Sequence, residues 1–265
     1  EHHFAEDGYL SGTMPSLGAL AAATDDVEIG TCIALAPLYD AVRLAEDAAT
    51  VDLLSGGRMT LGLSIGYRDL EFEAFGAPRA ERVERTVDAV ETVRGAHSDG
   101  PLGYDPEFHP VSPELSVTPK PAADVPIVLG GAAKPAVRRA ARIADGWVAP
   151  SSLSVEGVRK RVADIRSVRS DEGIDGEFQV YVVQHGFVGD SRADAWERMA
   201  AGRRYLDRTY ASWYEGELVE ELPDERVEEL REAAIAGTPE QVVGDLETYR
   251  DALGDDVHFV LRTYY

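Results

Sequence analysis

Short runs of β-branched and other apolar residues alternate along the chain with longer segments that carry apolar residues on one face. The runs predict strands at residues 27–36, 59–65, 125–129, 146–149, 178–188 and 257–263. The amphipathic segments predict helices at residues 38–54, 79–94, 135–144, 155–172, 192–205 and 239–253. A chain that alternates strand and helix in this way is expected to build a parallel sheet with crossover helices.

Two architectures fit this alternation, a (β/α)8 TIM barrel and an open, doubly wound sheet. The 265 residues suit a barrel, because that fold takes roughly 250 residues as one domain. An open sheet that binds a nicotinamide dinucleotide usually carries GxGxxG directly after its first strand, and this sequence has no such fingerprint there. We therefore expect a single α/β barrel domain over residues 1–265.

Two segments interrupt the regular alternation and are expected to be insertions. Residues 96–124 are rich in Pro and Gly and predict a long loop, with room for a short hairpin. Residues 209–236 are strongly acidic and predict a solvated helical segment. Long insertions after barrel strands often shape the mouth of the active site.

The charge balance narrows the kinds of partner that the chain can bind. Its 48 acidic and 26 basic side chains leave a net charge of −22, and only three of the cations are lysines. Such a surface repels nucleic acid and anionic membranes, so neither is expected as a partner. Because the acidic residues are spread along the chain, they favour a salt-adapted protein from a halophilic archaeon; an ordinary acidic protein is the alternative.

The sequence predicts a cytoplasmic location. No stretch approaches the about 18 consecutive apolar residues of a membrane-spanning helix. The chain opens without the basic and apolar leader of a secreted protein. Cys32 is the only cysteine, so no disulfide can form within the chain.

Two adjacent histidines, His2 and His3, are the first candidates for catalysis. An imidazole can accept or donate a proton near neutral pH, and a pair at the end of a barrel strand would place at least one ring at the mouth. A metal site or a purification remnant is the alternative. Two histidines are too few for a tag, and no nearby Cys or further His completes a metal set, so no metal is expected.

Small residues at two strand ends are candidates for binding a ligand. Gly62 and Gly66 let another backbone or a flat ligand approach closely. At the second strand end, exposed N–H groups and the dipole of the following helix favour an anion such as phosphate, and a tight turn without a ligand is the alternative. The residues there are Gly130, Gly131, Ala132 and Ala133. By residue type alone, Cys32 is a core cysteine.

Eight segments occur in an order that is typical of one family. They are residues 1–4 (EHHF), 30–33 (GTCI), 44–49 (LAEDAA), 52–58 (DLLSGGR), 73–76 (EAFG), 130–131 (GG), 145–147 (DGW) and 237–240 (GTPE). Together they resemble the bacterial luciferase-like monooxygenases and their deazaflavin-dependent relatives. Each segment alone is weak evidence, whereas the ordered set covers nearly the whole chain and is specific.

The resemblance implies roles for the candidate residues. His2 matches the catalytic histidine of luciferases, and His3 matches that of several deazaflavin enzymes. The Cys32–Ile33 bond matches the place where many members hold a non-prolyl cis peptide against the isoalloxazine ring. Residues from Gly62 through Gly66 to Tyr67 would approach the cofactor, and residues 130–133 would meet its phosphate.

Two departures from the family pattern bear on the cofactor and the substrate. Luciferases carry an arginine for the FMN phosphate where this chain has Ile65, which favours the deazaflavin coenzyme (factor 420) over FMN. Sugar-phosphate dehydrogenases of the deazaflavin group carry a glutamate where this chain has Tyr67, which argues against a sugar phosphate. Salt-loving archaea make factor 420, in keeping with the acidic surface.

The resemblance therefore predicts hydride transfer with factor 420. An FMN-dependent monooxygenase that uses reduced flavin and O2 is the alternative, and a non-catalytic flavin-binding barrel is a third hypothesis, against which His2 and His3 argue. Family members carry a further strand and helix before the segment matching residues 1–4, and a final helix after the last strand. The barrel is thus expected to lack those elements. Members commonly pair, so a homodimer is expected.

The acidic surface predicts that stability rises with salt. Carboxylates repel one another when screening is weak, and the Debye length is about 3 Å at 1 M salt and about 10 Å at 0.1 M. Thermal melts over that range should give a midpoint that increases with sodium chloride. A midpoint that stays flat or falls would rule out salt adaptation.

Overall fold

In the computed structural model, which describes residues 1–264, the chain groups into two units. The first consists of Glu1–Gly131, Arg138–Trp147 and Gly176–Phe178. The second consists of Ala132–Val137, Val148–Asp175 and the described chain from Gln179 onward. Both units combine helices with parallel strands, so the predicted α/β class with a parallel sheet is confirmed.

The first unit contains the elements that carry the candidate histidines and glycines. Its helices are α1 (Thr13–Ala23), α2 (Ala41–Ser55), α3 (Asp69–Phe75) and α4 (Arg82–His97), with short 3-10 turns at Ala36–Leu38 and Arg79–Glu81. Its strands are β1 (Ile29–Gly30), β2 (Ala34–Leu35), β3 (Met59–Ser64) and β4 (Ile127–Gly130). Helix α5 (Lys134–Ile143) and strand β5 (Gly146–Ala149) have residues in both units.

The second unit contains the remaining elements. They are α6 (Val155–Asp171), β6 (Gln179–Val188), α7 (Arg192–Glu215), α8 (Asp224–Glu232), β7 (Ile235–Gly237), α9 (Pro239–Leu253) and β8 (Val257–Arg262). Strand β6 pairs in parallel with β8 through its first part and with β7 through its last. Residues 238–241 (TPEQ) predict a helix N-cap at Thr238, and the structure confirms it, because Thr238 and Gln241 form the capping box that starts α9.

A bulge interrupts the pairing of β1 and β2 with β3. Gly30 pairs with Thr60, and Ala34 pairs with Leu63, so three residues on one side face two on the other. The Thr31 hydroxyl bridges the gap: it donates to the carbonyl of Gly62 at 2.6 Å and accepts from the Gly62 N–H at 2.8 Å. A bulge of this kind redirects side chains, and bulges are common beside active sites.

Several sequence predictions need correction. The run 27–36 is not one strand, because the bulge divides it into β1 and β2. Helices α1 and α3 and strand β7 were not expected. Helix α1 is built almost entirely of small and apolar residues and so shows no polar face, whereas α3 and β7 are too short to show a period. Helix α7 continues to Glu215, ten residues beyond the predicted end at Tyr205.

The two predicted insertions have different structures. Within residues 98–126, the described chain forms neither helix nor strand, so the short hairpin is not formed. Buried Asp88 on α4 anchors this loop by accepting hydrogen bonds from the Tyr104 hydroxyl and the Glu107 N–H, both at 2.8 Å. The acidic segment 209–236 is mostly helical, in α7 and α8, but it ends in the buried strand β7.

Two features of residues 1–264 concern membranes and metal ions. None of their helices is long and apolar enough to cross a membrane. No group of three or more His, Cys, Asp or Glu side chains among them is placed to hold a metal ion.

Candidate functional site

His2 is buried and is held by a carboxylate from helix α3. Its Nδ1 atom lies 3.0 Å from Oε1 of Glu71. The rings of Tyr9 and Tyr67 stand edge-on to the imidazole, with centroids 5.0 and 5.7 Å away. A hydrogen bond to Glu71 and edge-on contacts with two aromatic rings therefore hold His2 in position.

Glu71 is fully buried and joins both histidines. Its Oε1 atom also accepts the backbone N–H of His3 at 2.8 Å, and the Arg68 guanidinium lies 3.8 Å away. Burial raises the pKa of this carboxyl, but the bonds from His2 and His3 and the nearby charge of Arg68 outweigh it, so the pKa of Glu71 is lowered. Among the described residues its Oε2 atom has no hydrogen-bond partner.

His3 is held by a second carboxylate, that of Glu1. The His3 Nε2 atom lies 3.0 Å from Oε1 of Glu1, which also accepts the Tyr39 hydroxyl at 2.7 Å. Burial, followed by the charge of Glu1, raises the pKa of Tyr39, so this hydroxyl keeps its proton. The ring of Phe75 lies beside the His3 imidazole, with centroids 4.6 Å apart.

The histidine segment is tied to the bulge between β1 and β2. The backbone nitrogen of Glu1 donates to the carbonyl of Ile33 at 3.1 Å, and Oε2 of Glu1 accepts the N–H of Leu35 at 2.6 Å. Arg68 holds the segment from the other side by donating to the carbonyls of His3 and Phe4. These contacts link residues that are about 30 to 70 positions apart in sequence.

The Cys32–Ile33 peptide bond is cis, as the resemblance predicts. The Cys32 side chain is exposed, so the alternative of a core cysteine is wrong. It is exposed because the bulge turns this part of the strand away from the regular pleat.

The glycines of β3 and its following turn serve different purposes. A Cβ at Gly62 would overlap the carbonyl oxygen of Thr31, so Gly62 is required by the close approach of another backbone. Gly66 has a φ of 63°, and a Cβ there would lie 3.2 Å from the ring of Phe72. Gly66 therefore allows the sharp turn that leads β3 into Tyr67 and Arg68.

The predicted phosphate segment lies where β4 ends. Gly131 has a φ of 143°, and its carbonyl accepts the indole N–H of Trp147 at 2.9 Å. The carbonyl of Ala132 accepts Nε of Arg161 at 2.9 Å. The carbonyl of Ala133 accepts the N–H of Val137 at 3.1 Å, which starts the first turn of α5.

The structure brings part of the predicted set together. His2, His3, Ile33 and Tyr67 are joined by the contacts above, and Gly62 packs on the bulge beside them. The contacts of residues 130–133 lie instead with Trp147 and Arg161. Strand pairing places Leu129, just before Gly130, beside Leu63 of β3.

Four residues of this site were not among the sequence candidates: Glu1, Tyr39, Arg68 and Glu71. Glu1 stands next to the histidines in the quoted segment 1–4, so its position was a usable signal. No sequence signal marked Glu71. Glu73, two residues later, is the same residue type and is exposed, so residue type alone does not separate the two.

The arrangement can exchange a proton. An ionised carboxylate only accepts hydrogen bonds, so a His2 ring that donates to Glu71 carries its proton on Nδ1, and its Nε2 atom then has the lone pair of a base. When Nε2 takes up a proton, the negative charge of Glu71 stabilises the imidazolium. A histidine oriented by a carboxylate is a common general acid/base arrangement.

One protein family matches almost the whole chain. A family model described as luciferase-like monooxygenase matches residues 1–256. A Mycobacterium tuberculosis protein of uncharacterized function is 30% identical over 179 residues, covering 67% of this chain and 61% of that protein. The FMNH2-dependent dimethylsulfone monooxygenase of Pseudomonas fluorescens is 32% identical over 152 residues, covering 56% of this chain and 41% of that protein. The matched region spans less than two thirds of these relatives.

Solved structures share the fold. Monooxygenase RslO1 from Streptomyces bottropensis superimposes with a TM-score of 0.84 at 24% identity, covering 99% of this chain and 79% of that one. An F420-dependent secondary alcohol dehydrogenase, solved with an F420–acetone adduct, gives 0.75 at 18% identity, covering 94% and 78%. At these identities the likeness shows the fold alone.

Replacing Glu71 with Gln is predicted to destabilise the protein by about 1–3 kcal/mol near neutral pH, because a buried charge-assisted contact is lost. The folded pKa of Glu71 is lowered, so its contribution is complete above the ordinary value of 4.5 and is lost as the pH falls below it. Urea unfolding of the parent and of Glu71→Gln should give a difference in unfolding free energy that narrows below pH 4.5.

The matched control for this prediction is Glu73→Gln, which makes the same change at an exposed position of the same helix. It should leave the unfolding free energy nearly unchanged. An equal loss in both variants, or a difference that does not depend on pH, would contradict the role assigned to Glu71.

Proposed function

The chain belongs to the luciferase-like monooxygenase family, and from that membership we propose that it is an oxidoreductase that uses the deazaflavin coenzyme factor 420 for hydride transfer. Among fold neighbours, a secondary alcohol dehydrogenase is F420-dependent. The observation that carries the proposal is the pair of histidines, His2 and His3, each held by its own buried carboxylate beside the cis peptide. This arrangement provides an acid/base group of fixed orientation.

The chain around the bulge fits a flat ring. Cys32 is exposed and Ile33 is half-buried, so the bulge offers an accessible surface of backbone and short side chains. The buried Oε2 atom of Glu71, which lacks a partner among the described residues, is an acceptor for a donor from outside. In this proposal Cys32, Ile33, Gly66 and Tyr67 contact the ring, and Gly62 shapes the strand beneath them.

The start of helix α5 fits a phosphate. The N–H groups of the first turn have no partners within the helix, and the dipole places partial positive charge there. With the Gly131 carbonyl held by Trp147, the glycine–alanine segment has a fixed course. We assign the cofactor phosphate to the N–H groups of residues 130–133.

In the proposed mechanism, a bound cofactor supplies the redox chemistry and the chain supplies binding, orientation and a proton. Nε2 of His2 exchanges a proton with the reacting group of the substrate, while Glu71 stabilises the charged ring. Glu1 and Tyr39 hold His3 in a second position from which it can act. Arg68 fixes the segment that carries both rings.

An FMN-dependent monooxygenase remains the second candidate, because a relative at 32% identity is FMNH2-dependent. Ile65, where luciferases carry a phosphate-binding arginine, favours factor 420. The two histidines, each with a carboxylate partner, favour an enzyme over a flavin-binding barrel without catalysis.

The proposal also includes a (β/α)8 barrel and a homodimer, and sedimentation can test the dimer. The dense acidic residues support a salt-adapted surface. The relatives named above come from Mycobacterium and Pseudomonas and lend no support to an archaeal origin.

Titration with factor 420 and with FMN, followed by fluorescence, tests the cofactor. The variant Ala133→Asp should weaken binding at least about tenfold, because its carboxylate would stand beside the phosphate. Asp is also a favourable residue before a first helical turn, so the fold should remain intact. Ala133→Ser caps the helix without charge and is the matched control. If the parent binds neither cofactor, the proposal fails; if Ala133→Asp binds as well as Ala133→Ser, the phosphate assignment fails.

Replacing the histidines should separate turnover from binding. His2→Ala should bind the cofactor normally and lower kcat by about 10²–10⁴-fold, the usual contribution of a positioned acid/base; His3→Ala tests the second position in the same way. The assays are oxidation of a secondary alcohol with factor 420 and of dimethyl sulfone with FMNH2 and O2. His258→Ala, at an exposed position on β8, is the control. Normal turnover in both His2→Ala and His3→Ala would disprove the assignment.

A further inference from the structure

The second unit contains a cavity of about 830 Å³ that the histidine site does not account for. It lies between the loop that follows β5, strand β6 and one face of helix α7. Cavities that bind small molecules usually measure roughly 300–1,000 Å³, so this one is large enough for a ligand.

Helix α7 supplies one wall of the cavity through a single face. Each of Arg203, Leu206, Asp207, Tyr210 and Tyr214 lies three or four residues from another member of this set, so the five share one face of the helix, and all of them line the cavity. This wall combines a cation, an anion, an aliphatic side chain and two aromatic rings. It can therefore contact both the charged and the apolar part of a ligand.

The cations of the cavity differ in how well carboxylates balance them. Arg192 at the rim forms two hydrogen bonds of 2.8 Å with Asp245. Arg226 takes both oxygens of Asp207 at 2.9 Å and Glu229 at 2.8 Å. Arg203 has only the longer contact of 3.4 Å with the same Asp207, although its side chain is 10% exposed. The nearly buried guanidinium of Arg203 thus shares the carboxylate of Asp207 with Arg226, which forms shorter hydrogen bonds to it.

The electrostatics around Arg203 favour an added negative charge. Burial lowers the pKa of Arg203, Asp207 raises it, and the nearby charges of Arg226 and Arg262 lower it further. Arg262 lies at the end of β8, lines the same cavity and packs on the ring of Tyr264. Cations that repel one another around a buried guanidinium are stabilised when an anion forms charge-assisted hydrogen bonds with them.

The neighbouring His185 contributes hydrogen bonding but no charge. Its Nε2 atom lies 2.8 Å from the Ser151 hydroxyl, and its Nδ1 atom lies 2.7 Å from the Tyr264 hydroxyl. Burial, together with the charges of Arg203 and Arg262, lowers the pKa of His185 to about 3. The ring is therefore neutral near pH 7, so the cations that line the cavity are its arginines.

We propose that this cavity is an anion site, in which Arg203 and Arg262 bind the carboxylate or phosphate of a small molecule and Leu206 and Tyr210 contact its apolar part. Because the phosphate of the flavin-type cofactor is assigned to residues 130–133, the occupant we infer for this cavity is a free acidic small molecule. The proposal does not depend on the roles of His2 and His3.

The test uses sodium benzoate, inorganic phosphate, FMN and uncharged riboflavin as probes, at constant ionic strength and near pH 7. Isothermal titration of the parent should show saturable binding of benzoate or phosphate. Arg203→Gln and Arg262→Gln should each weaken it by about tenfold to a hundredfold, because each removes a charge-assisted contact. Arg159→Gln removes the same charge from an exposed ion pair on α6 outside the cavity and should bind as the parent does. Circular dichroism checks each fold, and Arg262→Gln decides alone if Arg203→Gln does not fold.

The outcomes of the test distinguish a free acidic molecule from a cofactor phosphate. They also distinguish failure of the anion site from failure of the proposed function. Benzoate binding that disappears in Arg262→Gln supports a site for a free acidic molecule. A preference for FMN over riboflavin that disappears there would overturn that occupant and would also contradict the placement of the cofactor phosphate at residues 130–133. No saturable binding of any anion, or equal weakening in Arg159→Gln, would overturn the site. Benzoate binding by a protein that binds neither FMN nor factor 420 would support the anion site while refuting the proposed function.

Discussion

The buried carboxylate of Glu71 is the constraint on which the histidine site depends. A single oxygen of this side chain holds the ring of His2 and the backbone of His3, so it fixes a segment that has no helix or strand of its own. An unpaired carboxylate at full burial would be costly, and its partners must therefore stay in place for the fold to remain stable. The hydrogen bonds from His2 and His3 therefore do two things. They pair the buried carboxylate of Glu71, and they orient the ring of His2 as a base.

The bulge in the first strand pair complements that constraint. In a regularly paired strand, Cys32 and Ile33 would follow the alternating pleat. The additional residue of the bulge instead turns Cys32 outward, and the carbonyl of Ile33 accepts a hydrogen bond from the nitrogen of Glu1. The Thr31 hydroxyl replaces the interrupted ladder and limits the disruption to the bulge. The histidine segment and the exposed cis peptide thus become neighbours through the backbone nitrogen of Glu1 and through its carboxylate, which accepts the N–H of Leu35.

Sequence patterns predicted what depends on local rules. The capping box at Thr238, most helix bounds and the parallel α/β class follow from periodicity and turn chemistry. The candidate histidines followed from residue type, and the cis peptide followed from the family resemblance. The partners of these residues were not predictable, because Glu71 and the exposed Glu73 differ only in the direction in which α3 packs. The same holds for Arg203, whose burial depends on the elements that surround α7.

Glu71 fixes the ring of His2 for proton exchange, and this role can be tested on the ring itself. Nitrogen-15 NMR of labelled histidine at about pH 8, above the ordinary titration range of the imidazole, reports which nitrogen carries the proton. A comparison with His2→Ala assigns the signal. We predict that His2 carries its proton on Nδ1 and that this preference is lost in Glu71→Gln. A ring protonated on Nε2 in the parent protein would contradict it.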